Sequence, residues 1–314
     1  MQEVEKQLIE DPAASNLFWG LKAQVDRIYR HLRQGSYKTR ARYYYAMLPF
    51  CKFLAVVYRM EKLANLSAKH LCAYIELRQD DGIAPATIKC ELAAIRFFHD
   101  QMADARYRIP DNEALGVDLE RRRFKGADRT WSDREYEDMI AIAKQSSREN
   151  FADELILAHE LGLRIHETFR IDTAMTRTAL AENKLTIKGK GGKVRTVPLT
   201  AAAREVLERA LSTTPQGEKL FVPKDRMTHA AIWDLEQFIR NHRNEVRDPG
   251  NPVPLTYHGL RHTFASNTYR RMIGQGRTAF EAHIGVSRLL GHEREDVTEI
   301  YLVGSKEGYD NLTC

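Results

Sequence analysis

Apolar residues recur with a helical spacing along most of this chain, and the spacing changes to an alternating, β-like pattern in one region. Between residues 17 and 98, apolar side chains recur every three or four positions, as in an amphipathic helix. Residues 184–198 instead contain two short β-like runs around the glycine- and lysine-rich turn 188–193. Helical spacing returns at about 200–212 and 228–246. We therefore predict a mainly α protein with a small β-sheet in its second half.

Breaks in this pattern divide the chain into two domains, for which 314 residues are sufficient. We expect residues 1–105 to form a small helical domain. Residues 106–130 contain a proline, two glycines and a basic run, and we interpret them as a linker. Ser132 and Glu135 have the spacing of a capping box, which predicts the first helix of a second domain, 131–314.

Composition is that of an ordinary globular protein. There is no run of about 18 apolar residues that could span a membrane. The acidic N-terminal stretch 1–15 lacks the apolar centre of a secretory signal. The four cysteines form no C-x-x-C pair, and no histidine–cysteine cluster has the spacing of a zinc site. We expect a cytoplasmic protein with no membrane segment and no bound metal.

The net charge of +5 favours an anionic partner. Between residues 31 and 62, seven basic residues stand against one acidic residue, Glu61, and tyrosines lie among them. Such a run is often only a solvated surface, but its interleaving with aromatic rings favours nucleic acid. The candidate DNA-binding residues here are Lys38, Arg40 and Arg42. A second basic cluster, 121–125, either tethers the domains or crosses a phosphate backbone.

Several residues of the second domain are suited to phosphoryl transfer. Attack on a phosphodiester concentrates negative charge on its non-bridging oxygens, which planar guanidinium groups bind bidentately. Arg164, which follows a glycine-terminated helix, and Arg261 are the candidates. A tyrosine hydroxyl titrates near ~10 and needs a base to act as a nucleophile at neutral pH. His258 shares a helix face with Arg261 and is the candidate base, and Tyr301 is the candidate nucleophile.

The hairpin turn contains a candidate proton donor. The departing 5′ oxygen of a phosphodiester needs a proton, which a lysine on a flexible turn can deliver. Lys190 lies between glycines that allow the turn to approach a DNA backbone closely. Lys188 and Lys193 are alternatives for the same role.

Taken in order, these segments resemble the tyrosine recombinase family, which comprises the phage-type integrases and the related chromosome-dimer resolvases. The matching motifs are GLRIHE from Gly162, KGKGGKVRTVPL from Lys188, HGLRHTF from His258, and LLGH ending at His292, followed by Tyr301. They occur in the family's order and span most of 131–302. The resemblance implies a helical core-binding domain joined to a mixed α/β catalytic domain.

The resemblance also implies how the scissile phosphate is held. Arg164 and Arg261 would bind it together. His292 would be a further donor to it, at a position where the family accepts histidine or tryptophan. Glu167 matches the family's acidic residue just after the first arginine, and its implied role is to support the site by hydrogen bonding.

The remaining implied roles concern the transfer itself. Tyr301 would attack the phosphate and form a 3′-phosphotyrosyl link with a free 5′ hydroxyl. His258 would be the general base and Lys190 the general acid. No cofactor is implied, because the phosphotyrosine keeps the bond energy for religation.

The known activity and assembly of the family imply a function and partners for this chain. It would be a site-specific DNA recombinase, an integrase of a mobile element, that acts on double-stranded DNA. It would work as a homotetramer on paired sites, with accessory DNA-bending proteins as further candidate partners. A silent DNA-binding regulator and a type IB topoisomerase-like nicking-closing enzyme are the alternatives.

Three features depart from the family's pattern. Segment 271–286 is longer than the usual connection between the two helices. Only 13 residues, 302–314, follow Tyr301, which is short for a C-terminal helix passed to a neighbouring protomer. Because the sequence begins close to its helical domain, we expect no separate arm-site DNA-binding domain of the kind that some phage integrases carry.

Overall fold

The structure is a computed structural model, and it describes residues 1–35, 37–115, 128–189, 192, 194–291, 298 and 301–302. The chain divides into two compact units, 1–123 and 124–314. The predicted linker, 106–130, contains this boundary. Its limits stay a prediction, because residues 116–127 lie outside the described part.

In its described part, the first unit is helical, as predicted. Its α-helices are α1 (Gln2–Glu10), α2 (Pro12–His31), α3 (Tyr37–Val57), α4 (Ala68–Asp80) and α5 (Pro85–His99). The sequence predicted α2 only from residue 17 and gave no helix before it. Asp11 explains the earlier start, because its carboxylate accepts hydrogen bonds from the amides of Ala13 and Ala14 and caps α2. Of α1, only Val4 is buried, so its apolar spacing was too sparse to reveal it.

The core of the first unit is made by the inner faces of α2 to α5. Leu21, Met47 and Phe50 are fully buried in it, as is Tyr74. The carboxylate of Glu91 on α5 accepts hydrogen bonds from Arg78 on α4 and from the Tyr74 hydroxyl, at 2.7 to 3.1 Å. This pairing joins the two helices at a buried position.

In its described residues, the second unit combines helices with a β-hairpin. The elements there are α6 (Asp133–Gln145), α7 (Glu149–Leu161), α8 (Ile165–Thr168), α9 (Thr173–Glu182), β1 (Lys184–Lys188), β2 (Val194–Pro198), α10 (Ala201–Thr213), α11 (Thr228–Val246), α12 (Tyr257–Gly274) and α13 (Ala279–Leu290). The mainly α fold with a small sheet is therefore confirmed. The predicted capping box is present, since Ser132 and Glu135 bond each other's backbone amides at 2.9 and 3.1 Å.

The hairpin lies where the change of period predicted it. Strands β1 and β2 are antiparallel, and both alternate between exposed and buried residues. Leu185 pairs with Val197, and Ile187 pairs with Arg195, so these four residues form the inner face. An arginine thus occupies a buried position of the strand.

Helix α12 lies at the centre of the second unit, packed against α7 and α13. Gly162 ends α7 in the left-handed conformation at φ 59°, and a Cβ there would lie 2.4 Å from the Phe264 ring of α12. This close approach brings the segment after α7 against α12. Segment 271–286 is not the long connection that was expected: most of it is helical, and only 275–278 join α12 to α13.

Candidate active site

The candidate catalytic residues fall into two groups in the structure. Arg164, His258, Arg261 and Tyr301 lie in the described part. Lys190 and His292 lie outside the described residues, so their positions stay predictions. His258 and Arg261 lie in the first turns of α12, whose N-cap Thr256 accepts a hydrogen bond from the Gly259 amide.

Tyr301 and His258 are in direct contact. The tyrosine Oη lies 3.2 Å from the His258 Nε2, and their rings meet edge to face at a centroid distance of 5.5 Å. Tyr301 is only 8% exposed. His258 remains open to solvent on one side, but the protein atoms crowded around its imidazole lower its pKa to about 4, and Arg261 and Arg164 act in the same direction. The ring is therefore neutral at neutral pH and can accept a proton.

Arg261 is completely buried beside this pair. Its guanidinium donates to the carbonyl oxygens of Gly162 and Leu290, which end α7 and α13. The guanidinium carbon lies 5.7 Å from the centre of the Tyr301 ring. Burial lowers the pKa of Arg261 to about 9, which leaves it positively charged at neutral pH. One arginine thus joins three segments of the site.

Glu167 links Arg164 to the hairpin. Its carboxylate accepts from the Arg164 amide at 2.8 Å and from the Arg164 guanidinium at 3.0 Å. The same carboxylate is bound bidentately by Arg195, at 2.8 and 2.6 Å. Burial would raise the pKa of Glu167, but these arginines outweigh it and lower the pKa to about 2. The carboxylate is therefore ionised and fixes the side chain of Arg164.

Arg195 is a site residue that sequence reasoning missed. It lies on β2, and its side chain is only 6% exposed. Gly291 lies over it in the left-handed conformation at φ 66°, where an added Cβ would come within 2.9 Å of the arginine Cδ. The signal in the sequence was a charged residue on the buried face of an alternating strand, in register with Val197.

We expect Arg195→Met to destabilise the second unit strongly. The substitution leaves the buried Glu167 carboxylate without its bidentate partner, and breaking a buried pair costs about 3–5 kcal/mol. Urea unfolding should show the loss. The matched control is Arg226→Met, because the Arg226 side chain is 46% exposed in its pair with Asp234 and should change the free energy of unfolding by about 1 kcal/mol or less. Equal losses in the two variants would contradict this account of Arg195.

His262 is a second residue of the site that was quoted in a motif but given no role. It lies on α12 one turn after His258 and is 3% exposed. Its ring stacks on Tyr301 with a centroid distance of 4.3 Å and an interplanar angle of 27°. Burial lowers the pKa of His262 to about 3, and neighbouring His258 and Arg261 add to the effect.

These histidines predict a pH dependence of stability. A histidine of the unfolded chain binds a proton near pH ~6.5, whereas folded His262 stays neutral down to about pH 3. Between these values the unfolded state binds more protons, so this contribution to stability falls as pH is lowered. His262→Phe should flatten the pH dependence between pH 7 and 5 by up to about 1.4 kcal/mol per pH unit. Urea unfolding at both pH values measures it, and an unchanged slope would contradict the buried neutral histidine.

The DNA-binding candidates on α3 are not equivalent. Lys38 and Arg42 are exposed one turn apart on the same helix face, and Tyr45 beside them is 66% exposed. The Arg40 guanidinium instead donates to the carbonyl oxygen of Leu32 and is partly buried. Lys38 and Arg42 are therefore the more accessible of the three candidates.

Neither a metal-binding cluster nor a membrane-spanning helix is present among the described residues. Within those residues, no group of three His, Cys, Asp or Glu side chains is arranged to hold a metal ion. None of the helices in the same ranges is both long enough and apolar enough to cross a membrane.

Comparison with known families decides what kind of protein this is. Residues 130–307 match the phage integrase family, and residues 20–106 match the family described as phage integrase, N-terminal. The first match alone covers more than half of the 314 residues. The chain belongs to the phage integrase family. It is therefore a tyrosine recombinase, an enzyme that recombines DNA at specific sites, as the motifs predicted.

Similar proteins agree with this membership. The chain is 26% identical to the tyrosine recombinase XerC of Rhizobium meliloti (strain 1021) over 250 residues, which is 77% of this chain and 74% of the relative. It is 22% identical to the tyrosine recombinase XerD of Listeria monocytogenes serovar 1/2a (strain ATCC BAA-679 / EGD-e) over 267 residues, or 80% of this chain and 83% of that one.

Solved structures share the fold of this recombinase at low sequence identity. A lambda integrase dimer bound to a COC′ core site superposes with a TM-score of 0.65 at 17% identity, over 90% of this chain and 95% of that one. A lambda integrase tetramer bound to a Holliday junction gives 0.64 at 18% identity, over 90% of this chain and 77% of that one. The predicted pairing of a helical N-terminal domain with a catalytic domain is thereby confirmed as a fold.

Proposed function

We propose that this recombinase cuts a DNA strand by attack of the Tyr301 hydroxyl on the scissile phosphorus. The bond from Tyr301 Oη to phosphorus forms, and the bond from phosphorus to the 5′ oxygen breaks. The product is a 3′-phosphotyrosyl link and a strand with a free 5′ hydroxyl. The observation that carries the proposal is the 3.2 Å contact between Tyr301 Oη and His258 Nε2, beside the charged guanidinium of Arg261.

His258 is suited to take the phenolic proton during this attack. Its Nε2 already lies within hydrogen-bond distance of the Oη, which is the geometry a general base requires. Because the pKa of His258 is lowered to about 4, its imidazole is uncharged at neutral pH. An uncharged imidazole has one ring nitrogen without a proton, which can accept one. The proton therefore passes from Oη to Nε2 as the bond to phosphorus forms.

Arg164 and Arg261 supply the positive charge that the transition state needs. Attack places negative charge on the non-bridging oxygens, and preorganised cations stabilise it most when their positions are fixed. Glu167 holds Arg164 through two hydrogen bonds, and Arg261 is anchored to two backbone carbonyl oxygens. Both guanidinium groups are thus held in place before DNA arrives.

Lys190 and His292 complete the proposed site on the strength of the sequence alone. Lys190 would donate the proton that the departing 5′ oxygen takes up. His292 would donate a hydrogen bond to the phosphate. No metal or nucleotide takes part in the proposed step, because the phosphotyrosyl bond conserves the energy that later reseals the strand.

We further propose that four copies of the chain act on two DNA sites. The lambda integrase structures that share the fold include a dimer on a core site and a tetramer on a Holliday junction. Lys38 and Arg42 would bind the phosphate backbone, so that affinity falls with salt. Integration of a mobile element, with the help of DNA-bending proteins, is the reaction that we propose for the assembled complex.

A two-site exchange assay tests this function against its alternatives. Two fluorescently labelled duplexes that carry sites from the DNA flanking the gene are incubated with the protein, and a supercoiled plasmid with one site is incubated in parallel. We expect products in which the two labels are joined on one duplex. Relaxation of the plasmid without joined products would instead indicate a topoisomerase-like enzyme. Salt-sensitive binding with neither product would indicate a silent DNA-binding regulator.

A further inference from the structure

One helix, α12, contacts the phenol ring of Tyr301 at two different places. Residues four apart lie on the same face of an α-helix, so α12 presents both His258 and His262 to the tyrosine. His258 meets the ring edge to face and its Nε2 contacts the hydroxyl, whereas His262 lies against the face of the ring. Contact at the edge limits translation of the phenol, and contact at the face limits its rotation.

The stack is rigidly supported. His262 is 3% exposed, and its ring meets that of His258 at a centroid distance of 5.2 Å and an angle of 81°. The next residue, Thr263, accepts a hydrogen bond from the Trp131 amide at 2.8 Å through its hydroxyl oxygen, which fixes this turn of α12. His262 therefore has little freedom to follow a tyrosine that moves.

From this arrangement we propose that His262 is a positioning residue for strand cleavage: its stacked ring holds the Tyr301 hydroxyl in line with His258 Nε2. The inference rests on the proposed role of Tyr301 as the nucleophile. It adds to the proposed mechanism a residue that touches neither the phosphate nor the proton in transit. Its effect falls on the rate of attack and not on the affinity for DNA.

The neutral state of the imidazole fits this role. With its pKa lowered to about 3, His262 carries no charge at the pH at which the enzyme would work. An uncharged ring packs against the phenol by dispersion and quadrupole contact. A phenylalanine at this position would offer a similar flat ring, whereas an alanine would offer none. This difference allows the ring to be tested apart from the imidazole nitrogens.

The test compares His262→Ala with His262→Phe in single-turnover cleavage of nicked suicide duplexes that carry candidate sites from the flanking DNA. We expect His262→Ala to slow formation of the covalent adduct by about 10- to 100-fold, since misplacement of a reacting group by about 1 Å can cost about 100-fold. We expect His262→Phe to recover most of the rate. The dissociation constant for uncleaved duplex, measured by fluorescence anisotropy, should stay within about twofold in both variants, because His262 is only 3% exposed and offers almost no surface to DNA.

A spectroscopic readout reports the stack without any chemistry. The protein is labelled with 3-fluorotyrosine, and the ¹⁹F resonance of position 301 is identified by its absence from the Tyr301→Phe variant. Loss of the neighbouring ring in His262→Ala should move this resonance, and His262→Phe should leave it near its original position. The matched control is His159→Ala, because His159 stacks on Tyr136 at 4.2 Å and 17° in the same unit. That variant should change neither the Tyr301 resonance nor the cleavage rate.

The outcomes separate this inference from the proposed function. Cleavage by His262→Ala at the wild-type rate, or equal slowing by the alanine and phenylalanine variants, would overturn the positioning role. A Tyr301 resonance that does not move in His262→Ala would overturn the stack itself. A wild-type protein that forms no adduct with any duplex would overturn the nucleophile, while the ¹⁹F measurement would still decide whether the stack exists.

Discussion

We expect Tyr301→Phe to abolish covalent attachment to DNA while leaving DNA binding intact. The substitution removes a single oxygen, the one that lies 3.2 Å from His258 Nε2, and keeps the ring that stacks on His262. We expect the yield of covalent adduct on a suicide duplex to fall at least about 1,000-fold, below detection on a denaturing gel, because no other group replaces a lost nucleophile. Anisotropy with the same duplex should give a dissociation constant within about twofold of that of the wild type.

The matched control for this substitution is Tyr269→Phe. Tyr269 lies on α12 and is 7% exposed, similar to Tyr301. Its loss of a hydroxyl should leave the adduct yield unchanged. Retention of substantial adduct by Tyr301→Phe would show that another residue attacks the phosphate.

Arg261→Ala should produce the second largest loss of activity. The guanidinium is the fully buried positive charge next to Tyr301, and it joins the ends of α7 and α13. Loss of one such transition-state donor costs about 100- to 1,000-fold in rate, and loss of the buried anchor adds to this. We expect single-turnover cleavage to fall by about 1,000-fold or more.

Because Arg261 also supports the fold, the comparison needs a variant that keeps the charge. Arg261→Lys retains a cation but cannot donate in the planar, forked arrangement of a guanidinium. We expect it to bind DNA as the wild type does and still to cleave at least about 100-fold more slowly. Circular dichroism and thermal unfolding identify any variant that has lost its structure. A folded Arg261→Lys that cleaves at the wild-type rate would contradict the role of the guanidinium.

Much of the fold was predictable because the ends of its helices and strands are determined by residues close to them in the sequence. Ser132 and Glu135 form the capping box that their spacing predicts, and Gly162 ends α7 in the left-handed conformation that glycine tolerates best. The hairpin is marked by a change from helical to alternating spacing. Helix α1 was not predicted, because only Val4 of its nine residues is buried and the helix therefore has no periodic apolar face to detect.

The reactive groups of the site were predictable from the sequence, but the residues that hold them in place were not. Motif order pointed to Arg164, His258, Arg261 and Tyr301, and the structure brings Tyr301 against His258 and places the Arg261 guanidinium carbon 5.7 Å from the centre of the Tyr301 ring. Arg195 was missed because its partner is Glu167, 28 residues away, and a contact between separate elements leaves only a weak local trace.

The sequence also did not indicate which arginines would be buried and bonded to the backbone. Arg261 was predicted to bind a phosphate, but nothing in the sequence indicated that it would be fully buried and bonded to two backbone carbonyl oxygens. Arg40 was grouped with its basic neighbours, although its guanidinium is engaged by Leu32. In both cases the competing partner is a backbone oxygen, and every residue type offers one, so no pattern of side chains reveals it.

A map of the covalent adduct would show directly whether Tyr301 is the nucleophile. A suicide duplex labelled at the 5′ end of its cleaved strand is trapped by denaturation and digested with nuclease and trypsin. Trypsin should release residues 295–306, which contain one tyrosine, Tyr301. The 5′ label should stay with the protein before nuclease treatment, and mass spectrometry should find a nucleotide on Tyr301 of this peptide. A nucleotide on any other residue, or a label that leaves with the free strand, would contradict the role of Tyr301 as the nucleophile.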